Sequence, residues 1–119
     1  MGKEIIAVKT PARVVYRIVG KIVYIKGNVN QYAEQLAKQI VAKGGKISYA
    51  ANWVKADMFG DNTLFNLKDH TIDFESNLIT NKSTKEIMTA SDENIETVLT
   101  DFFKQTLEMS GFVCEVKNI

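Results

Sequence analysis

Two periodic patterns of apolar and polar residues run along this chain, and they predict helices and strands in different places. Apolar side chains recur at every third or fourth position over residues 29–41, which predicts an amphipathic helix with one buried stripe. The same spacing over residues 95–109 predicts a second helix. Each pattern stops at glycine, at Gly44-Gly45 and at Gly111, where a residue with φ > 0 closes the last helical turn.

Small polar residues precede both predicted helices and are candidates for capping their first turns. Asn28 or Asn30 is placed to accept a backbone amide hydrogen bond at the start of the first helix. Ser91 opens the second helix, and Asn94 follows three residues later. This capping box is incomplete, because glutamate or glutamine is expected at the third position.

Short runs of apolar and β-branched residues predict strands before, between and after the helices. They cover residues 4–9, 13–19, 22–26, 46–50, 63–67, 71–75 and 112–117, while 78–80 and 86–89 are each either a short strand or one helical turn. Thr10-Pro11 separates the first two strands, since proline gives no amide donor to a ladder. Gly20-Lys21 is either a hairpin turn or a bulge in one long strand, and we favour the turn.

These elements together predict a single α+β domain over residues 1–119, in which two helices pack on one face of a mostly antiparallel sheet. We expect about five to seven strands, in line with common sheet sizes. The strand–helix–strand order occurs twice, which is similar to the ferredoxin-like pattern with an extra N-terminal strand or hairpin. A fold of this kind does not by itself determine function.

The composition excludes several classes of protein. With 45% hydrophobic and 24% charged residues, the chain is typical of soluble globular domains and not of disordered ones. Its net charge of +1 gives no overall attraction to nucleic acid or to a membrane, so we expect neither as a partner. Cys114 is the only cysteine, so no intrachain disulfide forms. Because the sequence shows no signal-peptide pattern and no long apolar run, we predict a cytoplasmic location.

A cluster of acidic residues around the only histidine is one candidate for chemistry; it consists of Asp69, His70, Asp73 and Glu75. Such side chains bind metal ions when three or four of them converge, so the cluster is compatible with a metal-assisted hydrolase. The alternative interpretation is a solvated strand face that follows a turn. The sequence lacks the common hydrolase, zinc-protease and phosphate-loop motifs, so we favour a non-enzymatic role and predict no catalytic residue, metal or cofactor.

The two arginines, Arg13 and Arg17, are the residues best suited to recognising an anion. They lie four positions apart in one predicted strand and therefore point to the same face of the sheet. A guanidinium group donates paired hydrogen bonds to phosphate or carboxylate oxygens. The alternative is that both arginines pair with acids on another strand, such as Asp73 or Glu75.

The least regular segment, residues 51–62, carries two further candidate binding residues, Trp53 and Phe59. Aromatic rings beside polar loop residues stack planar ligands or anchor a protein partner, although such rings also pack back over a core. We predict that Trp53 and Phe59 bind a ligand together with Arg13 and Arg17, provided that this segment lies beside the arginine strand.

The predicted function is that of a small, non-catalytic binding protein. It acts either through protein–protein interaction or by holding a small anionic, nucleotide-like ligand. The alternatives are the metal-assisted hydrolase and an assembly subunit without a ligand. We also expect a homo-oligomer, because an exposed edge strand such as residues 4–9 needs protection and self-association provides it.

Overall fold

The computed structural model describes residues 2–27 and 30–119, and it leaves the side chains of residues 30–33 undescribed. The predicted cap at Asn28 or Asn30 therefore lies outside the described residues. Within them the chain is an α+β protein with two helices and mostly antiparallel strands, as the sequence predicted. The elements are β1 (Lys3–Lys9), β2 (Ala12–Val19), β3 (Ile22–Gly27), α1 (Asn30–Ala42), β4 (Lys46–Ala50), β5 (Trp53–Asp57), β6 (Leu64–Asn66), β7 (His70–Asp73), β8 (Leu78–Asn81), β9 (Ile87–Thr89), α2 (Asp92–Met109) and β10 (Val113–Asn118).

The larger sheet has six strands in the order β10-β1-β2-β3-β5-β4, and every neighbouring pair is antiparallel. Residues 4–9 were expected to form an exposed edge strand, but β1 is paired on both sides, and the edges of this sheet are β10 and β4. Strands β2 and β3 are joined by a two-residue turn, since Val19 pairs directly with Ile22. Gly20 in this turn has a φ of +58°, a conformation that glycine adopts without steric cost. The favoured prediction of a hairpin at Gly20-Lys21 is thus confirmed.

The connection through α1 has the form of a split β-α-β unit. Strands β3 and β4 run in the same direction because each is antiparallel to β5, which lies between them. The second half of the chain does not repeat this arrangement: the strand before α2 is β9, which belongs to another sheet. The predicted ferredoxin-like pattern is therefore not confirmed as a whole.

The structure has a second sheet, of four strands in the order β6-β7-β8-β9, where the sequence predicted only one sheet. The sequence pattern assigned part of this segment to the single sheet and left the rest open between short strand and helical turn. Side chains that bond to the backbone make its turns short. Asp73 Oδ1 accepts hydrogen bonds from two amides of the β7–β8 turn at 2.9 and 3.3 Å, and Asn81 Oδ1 accepts two in the β8–β9 turn at 2.9 and 3.0 Å. These turns fold residues 64–89 into a compact meander.

Both helices end at their glycine signals. Gly44, two residues beyond the end of α1, has a φ of +97°, and Gly111, two beyond the end of α2, has a φ of +92°. Ser91 caps α2, as its Oγ accepts a hydrogen bond from the Asn94 amide at 3.2 Å. In the described part of the chain, neither helix combines the length and the apolar character needed to span a membrane.

The two faces of the larger sheet differ in burial, and this difference positions the candidate site. On one face the side chains are at most 7% exposed and Tyr16 contacts Phe103 of α2, with 4.8 Å between ring centroids. The alternating residues of the same strands point to the opposite face, here called the outer face, where the Arg17 side chain is 43% exposed. The buried face consists of Ile5, Ala7, Val14, Tyr16, Ile18, Val23, Ile25, Val54 and Ala56.

Candidate functional site

The candidate site is centred on Trp53, which begins β5 and points to the outer face because its neighbour Val54 is buried. The guanidinium carbon of Arg17 lies 4.8 Å from the centroid of the Trp53 ring, and Lys26 Nζ lies 5.6 Å from it. The Tyr24 ring meets Trp53 edge-on, with 6.5 Å between centroids. Two cations therefore lie against one indole, an arrangement stabilised by the negative electrostatic face of the ring.

Arg17 has a second contact that fixes its orientation. It lies directly opposite Glu4 in the β1–β2 ladder, and it donates hydrogen bonds to Glu4 Oε2 from Nε at 3.3 Å and from Nη2 at 3.0 Å. The alternative that an arginine pairs with an acid is thus confirmed for Arg17, although its partner is Glu4 and not Asp73 or Glu75. The guanidinium is held from two sides and still faces solvent.

A cavity of about 380 Å³, here called the Trp53 cavity, opens on the outer face beside this cluster. Three of its lining residues, Arg13, Arg17 and Lys26, are cationic, and only Glu4 is acidic, so the cavity is positively charged. Trp53 gives it an aromatic wall. A second cavity of about 410 Å³ shares Lys26 and Trp53 with it and continues past the β4–β5 turn. Trp53 therefore stands between two concave surfaces.

The structure brings together three of the four residues that the sequence selected. Arg13, Arg17 and Trp53 line one cavity, so the expected adjacency of the arginine strand and the segment 51–62 is present for Trp53. Phe59 lies elsewhere: it is 1% exposed and packs against Phe65 and Phe74, each with 4.9 Å between ring centroids. We therefore leave Phe59 out of the candidate site.

A local turn explains the position of Phe59. Asp57 Oδ1 accepts hydrogen bonds from the amides of Phe59 at 3.3 Å and Gly60 at 3.2 Å, so the chain bends away from the sheet directly after β5. This bend carries the ring into the core, where it packs against the meander. The sequence pattern of segment 51–62 did not distinguish the exposed Trp53 from the buried Phe59.

Two residues of the site, Lys26 and Glu4, were missed by the reasoning from the sequence. A usable signal was present, because two-residue turns at Thr10-Pro11 and Gly20-Lys21 fix the register of both hairpins. That register pairs Glu4 with Arg17 and Val15 with Lys26, which places all four residues on the outer face.

The acidic cluster of the alternative hypothesis does not converge on one point. No group of three or more histidine, cysteine, aspartate or glutamate side chains in the described residues is arranged to hold a metal ion. His70 and Asp73 lie three positions apart in β7 and so point to opposite faces. The amides of Glu75 and Ser76 donate to Asp73 and lower the pKa of its carboxyl, so this group serves the turn.

Comparison with known proteins assigns nothing to this cavity. No protein family, curated protein or solved structure matches the chain. The class of protein is therefore defined by the fold and the site alone: an α+β protein whose larger sheet carries a basic, aromatic cavity on its outer face.

Proposed function

We propose that this chain is a non-catalytic binding protein that holds a small anionic, nucleotide-like ligand in the Trp53 cavity. The observation that carries the proposal is the position of the Arg17 guanidinium against the Trp53 ring, with Arg13 and Lys26 lining the same cavity. A cation and an indole side by side suit a ligand that has both a negative charge and a flat ring.

The geometry of the Arg17–Glu4 pair supports a binding role for Arg17. Nε and Nη2 both donate to the single oxygen Oε2 of Glu4, so Nη1 takes no part in this pair. A guanidinium has five N–H donors, and those on Nη1 remain for a phosphate or carboxylate oxygen. Glu4 thus acts as an orienting partner that reduces the conformational freedom lost on binding.

The size of the cavity favours a small ligand. Its volume of about 380 Å³ lies near the lower end of the roughly 300–1,000 Å³ that small-molecule sites occupy. A nucleoside monophosphate presents one flat base and one phosphate, which correspond to the aromatic wall and the cationic side chains. The Trp53 cavity therefore fits a mononucleotide better than a longer chain.

Trp53 is the only tryptophan, so its fluorescence reports directly on the site. We expect a nucleoside monophosphate to quench the Trp53 fluorescence on titration. Inorganic phosphate should bind more weakly, because it has no ring to stack on the indole. Arg17→Gln should weaken nucleotide binding about tenfold or more, since a hydrogen bond between charged groups contributes roughly 1.5–3 kcal/mol.

Lys55→Gln is the matched control for this titration. Lys55 points to the same outer face two residues along β5 and does not line the cavity, but its substitution removes the same charge. If Arg17→Gln and Lys55→Gln weaken nucleotide binding equally, only the overall electrostatic field of the protein matters, and a specific site is refuted. Native mass spectrometry of protein purified from its own host would then show whether a nucleotide-sized mass is retained.

Self-association is the second candidate function, and the exposed edge of the larger sheet favours it. Strand β10 has no neighbour on one side within the described residues, and its Val113 is 77% exposed. A second copy that pairs along β10 would protect this edge. Sedimentation velocity on wild type and Val113→Lys tests it: we expect a dimer that the lysine weakens, and a wild-type monomer at all concentrations excludes the proposal.

A further inference from the structure

A third cavity, of about 530 Å³, lies between α1 and α2, on the buried side of the larger sheet. We call it the interhelical cavity. Tyr16 of β2 lines it, together with Leu36 of α1 and three side chains of α2, Phe102, Phe103 and Met109. It shares no residue with the Trp53 cavity, so it is a separate site with its own requirements.

Apolar side chains form much of the lining of this cavity, and Gln39 and the hydroxyl residues Tyr16, Thr106 and Ser110 also line it. Thr106 Oγ1 donates to the Phe102 carbonyl at 2.9 Å, and Ser110 Oγ donates to the Thr106 carbonyl at 3.1 Å. The hydroxyl donors of Thr106 and Ser110 are thus satisfied within α2 and at its C-cap, and they do not require a polar ligand. Met109 is 78% exposed here, which leaves an apolar side chain open to solvent.

The charges of the interhelical cavity have one sign. Lys43 and Lys68 line it, and Lys43 Nζ lies 4.9 Å from the centroid of the Phe102 ring. None of the residues that line the cavity is acidic, although Asp69 and Asp101 line a smaller cavity that shares Phe102 with it, and neither lysine forms an ion pair with another described residue. An occupant that matches this surface has an apolar body and a negative group.

We propose that the interhelical cavity binds a free, single-chain fatty acid in its ionised form. The hydrocarbon tail lies against Leu36, Phe102 and Met109, and the carboxylate lies beside Lys43 and Lys68. Burial of each tail methylene from water favours binding, so the tail supplies most of the affinity and the lysines select the anion. The volume of about 530 Å³ is within the usual range for small-molecule sites.

The test is a titration with laurate below its critical micelle concentration, observed through protein labelled with ¹³C at the methionine methyl groups. We expect the Met109 methyl resonance to shift with saturation, while that of the buried Met58, which is 1% exposed, stays in place. Substitution of Met109 by leucine assigns the resonance. A Met109 resonance that does not respond to laurate, or one that moves with protein concentration alone, overturns the proposal; the latter result assigns the surface to a second copy.

Charge selection is tested with variants that remove exposed lysines and so leave the core unchanged. Lys43→Gln and Lys68→Gln should each weaken laurate binding about two- to fivefold, the range for one exposed ion pair, and should leave dodecanol binding unchanged. Lys38→Gln, an exposed α1 lysine that does not line the cavity, is the matched control. Equal binding of laurate by all three variants overturns the proposal. Co-sedimentation of the protein with anionic lipid vesicles, when laurate does not shift the Met109 resonance, also overturns it.

Discussion

The hydrogen bond between Glu96 and Gly20 is expected to be a main support of the β2–β3 hairpin. Glu96 lies in the first half of α2 and is 4% exposed, and its Oε2 accepts a hydrogen bond from the Gly20 amide at 2.7 Å. This bond connects the helix to the turn that fixes the register of β2 and β3. Because that register places Lys26 beside Val15 on the outer face, the turn also shapes the Trp53 cavity.

The expected cost of removing this bond follows from its charge and its burial. A hydrogen bond to a charged group contributes about 1.5–3 kcal/mol, and its loss leaves the Gly20 amide buried without an acceptor, so Glu96→Ala should lower the free energy of unfolding by about 2–3 kcal/mol. Glu96→Gln keeps an oxygen acceptor but loses the charge, which roughly halves such a bond, so we expect a loss of about 1 kcal/mol.

Urea denaturation followed by far-UV circular dichroism measures both changes. Glu108→Ala, at an exposed position of the same helix, is the control and should stay within about 0.5 kcal/mol of wild type. If Glu96→Ala is as stable as this control, the bond does not support the hairpin and the reasoning is refuted. Equal losses in Glu96→Gln and Glu96→Ala would show that charge, and not the presence of an acceptor, decides the stability.

Three further predictions concern buried or turn-forming groups. Thr100 Oγ1 is buried without a hydrogen-bond partner among the described residues, so Thr100→Val should raise the free energy of unfolding by about 1 kcal/mol in urea denaturation; a loss would reveal a partner for the hydroxyl. Burial raises the pKa of Tyr16, so the folded state keeps a proton that the unfolded state releases above about pH 10. The free energy of unfolding of wild type should therefore fall by about 1.4 kcal/mol per pH unit above pH 10 relative to that of Tyr16→Phe. Parallel curves of unfolding free energy against pH for the two proteins would contradict this assignment. Backbone amides lower the pKa of Asp73, so its contribution to stability is present above the unfolded-state value of about 4 and is lost as the pH falls through the lower folded-state value. The difference in thermal unfolding temperature between wild type and Asp73→Ala should therefore shrink as the pH falls. A difference that stays the same at every pH would contradict the prediction.

The parts of the fold that the sequence predicted are those governed by local physics. The ends of both helices and the β2–β3 hairpin depend on backbone conformations that Gly20, Gly44 and Gly111 adopt readily. Because a glycine can be read directly from the sequence, these features were predictable. The meander was less accessible, because its short strands carry little periodicity. Its turns rely on the side chains of Asp73 and Asn81, which bond to the backbone in a way that composition does not reveal.

The candidate site was predictable in part for a similar reason. Alternation along β2 correctly placed Arg13 and Arg17 on one face, since side-chain direction within a strand depends only on spacing. Alternation along β5 likewise places Trp53 on the outer face, whereas the turn at Asp57 ends that strand and directs Phe59 into the core. Contacts of this kind depend on how the chain folds back on itself, and no periodicity encodes them.

The two proposed sites should act independently, although they use adjacent residues of one strand. Tyr16 and Arg17 are neighbours in β2 and point to opposite faces, so the sheet itself separates the interhelical cavity from the Trp53 cavity. We expect laurate to leave the Trp53 fluorescence unchanged and a nucleoside monophosphate to leave the Met109 methyl resonance unchanged, because a sheet paired on both sides of β2 resists deformation. Each titration thus serves as the control for the other. A response of Trp53 to laurate in wild type that is lost in Lys43→Gln would show instead that β2 transmits a displacement between the two faces.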